Sequence, residues 1–347
     1  MGSKKYQALV YATLAAVFYA INIPASKLLL REVGPTTMAA LLYLGAGIGV
    51  GILALGNRKE AVQAASLSKQ DLPYVIGMIV LDIVAPILLM LGISYGTSAN
   101  ASLLGNFEIV ATAIIALLIF KEAVSKRLWG AIALISLSSV LLSFEGADSF
   151  KFSLGSLFVL LATTCWGLEN NCTRSIASKS TYQIVVLKGI FSGLGALAIA
   201  LIKREVMPEL SYVVAAMLLG FVAYGLSIFM YVRAQNVLGA AKTSACYAVA
   251  PFVGAFLSFV FLRESLSWMY LIALAVMVAG SVLVVADTLI LSHTHSHEHT
   301  FVHTHDGTTH AHTVRHSHRH NHYLNEDKHA HHHDVAELEK LPGARHV

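Results

Sequence analysis

Residues Thr97–Leu142 read TSANASLLGNFEIVATAIIALLIFKEAVSKRLWGAIALISLSSVLL. An apolar run meets a short charged break at Lys121-Glu122, and a second apolar run follows. Gly239–Val284, 142 positions on, reads GAAKTSACYAVAPFVGAFLSFVFLRESLSWMYLIALAVMVAGSVLV. The basic-Glu pair recurs in place as Arg263-Glu264, and Ala113, Ser125, Ala131, Ala133, Ser139, Val140 and Leu141 match their counterparts. Matches on both sides of a charged break are not what apolar composition alone produces. The stretch is one copy of an internal duplication, and its period decides the fold.

The rest of the chain has the composition of an integral membrane protein. Of its 347 residues 56% are hydrophobic and 13% charged, where a soluble domain carries about 25% charged residues. A membrane span needs about 20 apolar residues. Ten such runs are predicted, at 6–30, 36–56, 73–94, 97–120, 127–145, 153–173, 182–202, 210–234, 239–262 and 267–290. The first run is too long for a signal peptide and no small-residue cleavage site ends it. Cys165, Cys172 and Cys246 lie inside apolar runs, where cysteine acts as a small hydrophobe.

Lysine and arginine set the orientation. With the N-terminus inside, the inner loops hold Lys4, Lys5, Arg58, Lys59, Lys69, Lys121, Lys126, Arg127, Arg174, Lys179 and Arg233. The outer loops hold Arg31, Lys151, Lys203, Arg204 and Arg263, so eleven stand against five. Both termini are therefore expected in the cytoplasm.

The duplication reaches further. Tyr19-Ala-Ile-Asn22-Ile-Pro-Ala-Ser-Lys27 in run one lines up with Trp166-Gly-Leu-Glu169-Asn-Asn-Cys-Thr-Arg174 in run six, at an offset of 147. The five-residue difference fits the long connection Asn57–Asp71. The predicted fold class is an all-α integral membrane protein of ten transmembrane helices. They form two inverted five-helix repeats, residues 1–147 and 150–290, followed by a tail, 291–347. Five spans per repeat make the copies antiparallel, an arrangement typical of secondary transporters, whose substrate sites lie between the halves near the midplane.

These features resemble the EamA-type members of the drug/metabolite transporter superfamily over residues 6–290. The resemblance is carried by the five-plus-five duplication, the aromatic-Ala/Gly start of runs one and six, and Phe-Lys-Glu at 120–122 with Leu-Arg-Glu at 262–264. Pro251 fits a proline common in those runs; Ile109 stands in its place in the first half. The resemblance implies a carrier of small metabolites, often an exporter of amino acids or related solutes, in a bacterial cytoplasmic membrane. It does not fix the substrate, and it does not include the tail.

Ionisable side chains deep in a membrane are costly and usually face the bundle interior. The predicted cavity is lined by runs one, three, four, six, eight and nine. Its candidates are Asn22, Lys27, Asp82, Asn100, Asn106, Glu108, Glu169, Asn170, Tyr224, Lys242 and Tyr247. Asn171, Arg174 and Lys188 are also deep. Groups of both signs suit a zwitterion or polar metabolite, and Asp82 and Glu108 are candidates for proton exchange. The competing reading pairs these groups with one another to hold the bundle; Lys242 and Arg174 are near enough to helix ends to snorkel. Lys121-Glu122 and Arg263-Glu264 read as terminal anchors. Gly45, Gly47, Gly49 and Gly51 form overlapping G-x-x-x-G patterns for close helix packing, within the monomer or at a dimer face. Lys242-Thr243 lacks the glycine a phosphate loop needs. Nothing points to an enzyme, to nucleic acid or to a required cofactor.

All 17 histidines lie at or after His293. The candidate metal ligands are His293, His295, His297, His299, His303, His305, His310, His312, His316, His318, His320 and His322, mostly spaced as H-x-H. Neutral imidazole suits zinc, nickel and cobalt. Asp306-Gly307 is a two-residue hairpin signal. Folding there sets residues summing to 613 opposite one another. His303 then faces His310 and His293 faces His320, while His299 faces Val314 and His312 faces Phe301. Without metal the tail, 291–347, is expected to be largely disordered and of low complexity, because an isolated ribbon is marginal.

Two carriers emerge. One moves a small polar metabolite by alternating access, with a metal-binding tail. The other exports transition metal ions that the tail collects. A third class, a membrane-anchored metal sensor, leaves ten inverted spans without a purpose. The body lacks histidine, and Lys27, Lys188 and Lys242 would repel cations, which favours the metabolite; Asp82, Glu108 and Glu169 keep the metal reading open.

Overall fold

The computed structural model describes residues 3–56, 67–120, 125–143, 153–176, 179–238, 247–264, 267–305 and 308–323. They form two compact units, Met1–Val285 and Ala286–Val347.

The first unit is helical and follows the ten apolar runs. Spans one to three are α1 (Ser3–Leu29), α2 (Pro35–Gly56) and α3 (Leu72–Tyr95). Span four is broken into α4 (Ser98–Leu104) and α5 (Phe107–Phe120), and span five is α6 (Lys126–Leu142). Spans six and seven are α7 (Leu154–Ser175) and α8 (Thr181–Ile202). Span eight runs from α9 (Leu210–Gly220) through a π-helical turn, Phe221–Leu226, into α10 (Ser227–Leu238). Spans nine and ten end the body as α11 (Ala250–Leu262) and α12 (Trp268–Leu289). Seven spans are long and apolar enough by themselves to cross a membrane. The other three are the 17-residue α6, the amide- and charge-bearing α7, and span nine, whose first part lies outside the described residues.

Contacts between helix ends fix the relative directions of spans one, three and six. Lys27, at the end of α1, donates to the carbonyls of Ile93 and Gly96 at the end of α3. A Cβ on Gly155, at the start of α7, would meet Gly96. Lys179, just past α7, pairs with Asp71 before α3 at 3.3 Å. Thus α1 runs toward the Gly96 end and α7 runs away from it. The two repeats are inverted. Helices α2 and α8 are each 22 residues long and start 146 positions apart, at 35 and 181. Four of the five residues by which the offsets differ, from 146 to 142, therefore fall after these starts, where the Asn57–Asp71 connection lies.

Packing repeats with the sequence. Span three lies along span six as span one lies along span eight. Gly167 in α7 crosses the backbone at Ala111 and Thr112, and its counterpart Ala20 in α1 lies against Gly254 in α11. Between the halves α2 and α8 touch directly: a Cβ on Gly189 would lie 2.4 Å from Gly47 Cα. Gly45 meets the Met217 backbone and Gly49 meets Phe221. The glycine pattern of run two thus serves packing within the monomer.

Carboxylates close two helix N-termini at the Gly96 end. Glu205 accepts from the Thr36 and Thr37 backbone N–H at 3.2 and 2.8 Å. Glu264 accepts from those of Ser98 and Ala99 at 2.7 and 2.8 Å. An N-terminus carries unsatisfied donors and a positive dipole end, which a carboxylate answers. In both cases the residue before the glutamate is left-handed, Arg204 at φ 55° and Arg263 at φ 52°, and turns the chain there. Arg263-Glu264 is thus a structural anchor, while Lys121-Glu122 lies outside the described residues. Burial pushes the Glu205 carboxyl up, but the hydrogen bonds from Thr36 and Thr37 outweigh it and hold it below the usual glutamate value.

The second unit contains strands β1 (Ile290–His305) and β2 (Thr308–Tyr323), paired antiparallel. The register runs from Ile290↔Tyr323 to His305↔Thr308, including His293↔His320 and His303↔His310. Partners sum to 613, as a turn at Asp306-Gly307 requires; the turn residues themselves lie outside the described residues. Sixteen residues per strand are paired. Cross-strand pairs such as Glu298↔Arg315 and Thr300↔Thr313 are of the kind that stabilises a ribbon.

Candidate functional site

Span four is interrupted in mid-span, and in the described part of span nine a turn precedes α11. The break falls at Gly105-Asn106, between α4 and α5. The turn falls at Ala248-Val249, before α11, with Pro251 at its first turn. With the 142-residue offset, Asn106 corresponds to Ala248. A proline cannot donate the next helical hydrogen bond, so it suits a helix start. Span eight carries its π-turn instead, a feature frequent at functional sites. Interrupted helices at membrane depth occur where the backbone lines protein or a cavity.

The polar residues between these breaks form one connected cluster. Lys188 Nζ from α8 stands 3.1 Å from Asp82 Oδ2 and 3.0 Å from Glu169 Oε1. Asp82 is fully buried, Glu169 is 2% exposed and the Lys188 side chain 16%. The Tyr43 hydroxyl donates to Asp82 Oδ1 at 2.8 Å. The ammonium is the group that faces Asp82 Oδ2, as an ion pair. Glu169 also accepts from the Thr173 hydroxyl one turn on. Next along α7, the Asn170 amide donates to Glu108 Oε1 at 2.6 Å, and Asn171 donates to the Thr112 and Gly167 carbonyls. Glu108 is thereby tied to the same helix as Glu169.

Aromatic rings continue the cluster. Asn22 donates to the Tyr224 hydroxyl at 3.0 Å, and the Tyr224 ring lies 5.4 Å from Tyr43 and 6.1 Å from Tyr19. Tyr19 lies 5.5 Å from Tyr247, whose hydroxyl is 3.2 Å from Ser227 Oγ. The Asn106 amide nitrogen is buried and has no hydrogen-bond partner among the described residues.

Of the residues expected to line the cavity, the structure brings together Asn22, Asp82, Glu108, Glu169, Asn170, Tyr224 and Tyr247, with Asn106 buried at the break in span four. Two lie elsewhere. Lys27 holds the end of α3, as described above, and the Asn100 amide donates to the Leu142 carbonyl at the end of α6. Lys242 and the side chain of Arg174 lie outside the described residues. Expecting the lining from runs one, three, four, six, eight and nine leaves out runs two and seven, which supply Tyr43 and Lys188. Lys188 is visible in the sequence as a cation deep in an apolar run. Tyr43 sits in a run of small and apolar residues, and nothing in the sequence marks its hydroxyl.

The twelve histidines expected to bind metal do not stand alike in the tail. Eight pair with one another, as His293↔His320, His295↔His318, His297↔His316 and His303↔His310. The other four have no histidine opposite: the pairs are His299↔Val314, Phe301↔His312, Leu291↔His322 and His305↔Thr308. Nothing is described of the tail's histidine side chains beyond these backbone positions. Among the described residues of known side-chain position, no three His, Cys, Asp or Glu groups converge as a metal site.

Two inverted helical repeats, interrupted helices and a buried charged cluster between them define a multi-pass membrane protein of the transporter type. The chain belongs to the EamA-like transporter family, which matches residues 7–144 and again 153–286. It thus falls in the drug/metabolite transporter superfamily. An uncharacterized transporter of Methanothermobacter thermautotrophicus is 26% identical over 284 residues, covering 77% of this chain and 82% of its own. A solved crystal structure, 17% identical, covers 78% of this chain and 94% of that one with a TM-score of 0.58, a likeness of fold.

Proposed function

We propose that the chain is a secondary-active exporter of a small polar metabolite, an amino acid or related amine-bearing solute, working by alternating access in a bacterial cytoplasmic membrane. Both termini are cytoplasmic in this reading, and the tail binds transition metal ions. The observation that carries it is the Asp82–Lys188–Glu169 cluster, drawn from span three of one half and spans six and seven of the other. One ammonium faces two carboxylates, with Glu108 adjoining. If all are ionised, the cluster holds surplus negative charge in a medium that penalises it. A proton or the amine of a substrate supplies the missing cation.

The same geometry removes an objection raised by the sequence. Lys188 does not confront an incoming cation as a free charge, because two carboxylates already neutralise it. An amine is favoured over a metal ion as cargo, since no metal-ligand set converges among the described side chains. The test is counterflow of labelled amino acids and amines into proteoliposomes bearing the full chain, with zinc, nickel and cobalt in parallel. Saturable exchange of an amine-bearing solute supports the reading. Metal flux with no metabolite flux overturns it.

A further inference from the structure

The tail's register places all twelve of its paired-strand histidines on one face. Side chains alternate between faces along a strand, and directly opposed residues share a face. The six histidines of β1 all stand at odd positions and the six of β2 all at even positions. Every pair sums to 613, so odd always meets even. Three successive rungs are histidine on both sides, His293↔His320, His295↔His318 and His297↔His316; His303↔His310 is a fourth nearer the turn. His299, His312 and His322 continue the same face with Val314, Phe301 and Leu291 as their partners. The other face carries no histidine. It pairs Ser296 with Ser317, Glu298 with Arg315, Thr300 with Thr313 and Thr304 with Thr309. A tail selected for histidine content alone has no reason to keep this division.

We infer that the ribbon is a one-faced imidazole ladder for first-row divalent metal ions, in which adjacent rungs supply four imidazoles to one ion. The inference rests on the reading that the tail binds metal, and adds that binding depends on register and not on histidine content. Strand partners lie about 5 Å apart at Cα, and same-face neighbours along a strand about 6.8 Å apart. Four imidazoles from two rungs make up the number of ligands a closed zinc site takes. Because the ligands come from both strands, the ion also staples a ribbon that is marginal alone.

The test keeps composition constant. In the full-length chain in detergent, the exchanges His316→Ser with Ser317→His, His318→Arg with Arg319→His, and His320→Asn with Asn321→His move three β2 histidines to the opposite face. A second variant makes the same kind of exchange on β1, His293→Thr with Thr294→His, His295→Ser with Ser296→His, and His297→Glu with Glu298→His, and so moves three β1 histidines to the opposite face. Zinc and nickel affinities are measured by competition with a chelator. The ladder predicts that both variants bind at least about tenfold more weakly than the parent, as expected when ligands are no longer held in place. Equal affinity in all three chains overturns the ladder and leaves a tail that binds by composition. No binding by the parent overturns the metal-binding reading itself.

Discussion

Asn22 and Glu169, 147 positions apart, occupy the same place in the two halves, and each accepts a hydrogen bond from the hydroxyl one turn later. Ser26 donates to Asn22, and Thr173 donates to Glu169. The likeness extends to their partners. Asn22 meets Tyr224 directly, and Glu169 meets Asp82 through Lys188; Asp82 and Tyr224 are 142 positions apart, the offset of the matched stretch. Each contact joins the two halves: one is a neutral amide–phenol pair, and its counterpart is two acids bridged by an amine. The duplication supplies the frame, and the charges mark where the halves diverged.

Lys188 is the only cation described in that cluster, so its removal strands two buried carboxylates. Lys188→Met is expected to destabilise the protein by about 3–5 kcal/mol, the usual cost of breaking a buried pair. The triple variant Asp82→Asn, Lys188→Met, Glu169→Gln should regain part of this. Thermal unfolding in detergent checks both, and a Lys188→Met chain as stable as the parent contradicts the ion pairing.

Glu108 is tied to α7 by the Asn170 amide. Glu108→Gln keeps the size of the side chain and removes its charge. It is expected to change the pH profile of transport while leaving the unfolding temperature within a few degrees. An unchanged pH profile removes Glu108 from proton exchange.

Glu205 caps α2 across the two halves, and its carboxyl lies below the usual glutamate value in the folded chain. A depressed folded value means that the group stabilises the fold above its unfolded value, about 4.3, and loses that contribution as pH falls through the folded value. Glu205→Gln should cost about 1 kcal/mol near neutral pH, the scale of a lost helix cap. The gap from the parent should close in acid. A gap that widens on acidification contradicts the assignment.

Gly189 and Gly47 are the point where α2 and α8 touch. Gly189→Leu forces a side chain into the Gly47 backbone, where nothing flexible can yield. The expected outcome is a chain that fails to give a monodisperse peak after extraction. Gly51→Leu, facing only the tip of Val186 at 3.9 Å, should extract normally.

The frame was legible because membrane burial writes plainly. Runs of about 20 apolar residues locate spans, and the recurring basic-Glu pair fixes the repeat. The tail register was legible because a two-residue turn leaves one pairing. The site was legible where charge violates the apolar pattern, as at Asp82, Glu108 and Glu169. Lys27 and Asn100 violate it equally and yet close helix ends, since the pattern records depth only to within a turn. Tyr43 was silent because a tyrosine in an apolar run reads as packing, and its role depends on an aspartate 39 positions away.

The central claim is that the charged cluster between the repeats handles the substrate. The direct measurement is amino-acid and amine counterflow in proteoliposomes, comparing the parent chain with Glu169→Gln at matched protein density and unfolding temperature. The account predicts saturable exchange by the parent and a loss of at least about tenfold in the variant, the equivalent of one charge-assisted contact. Parent-level exchange by Glu169→Gln would place the substrate elsewhere in the bundle and contradict the account.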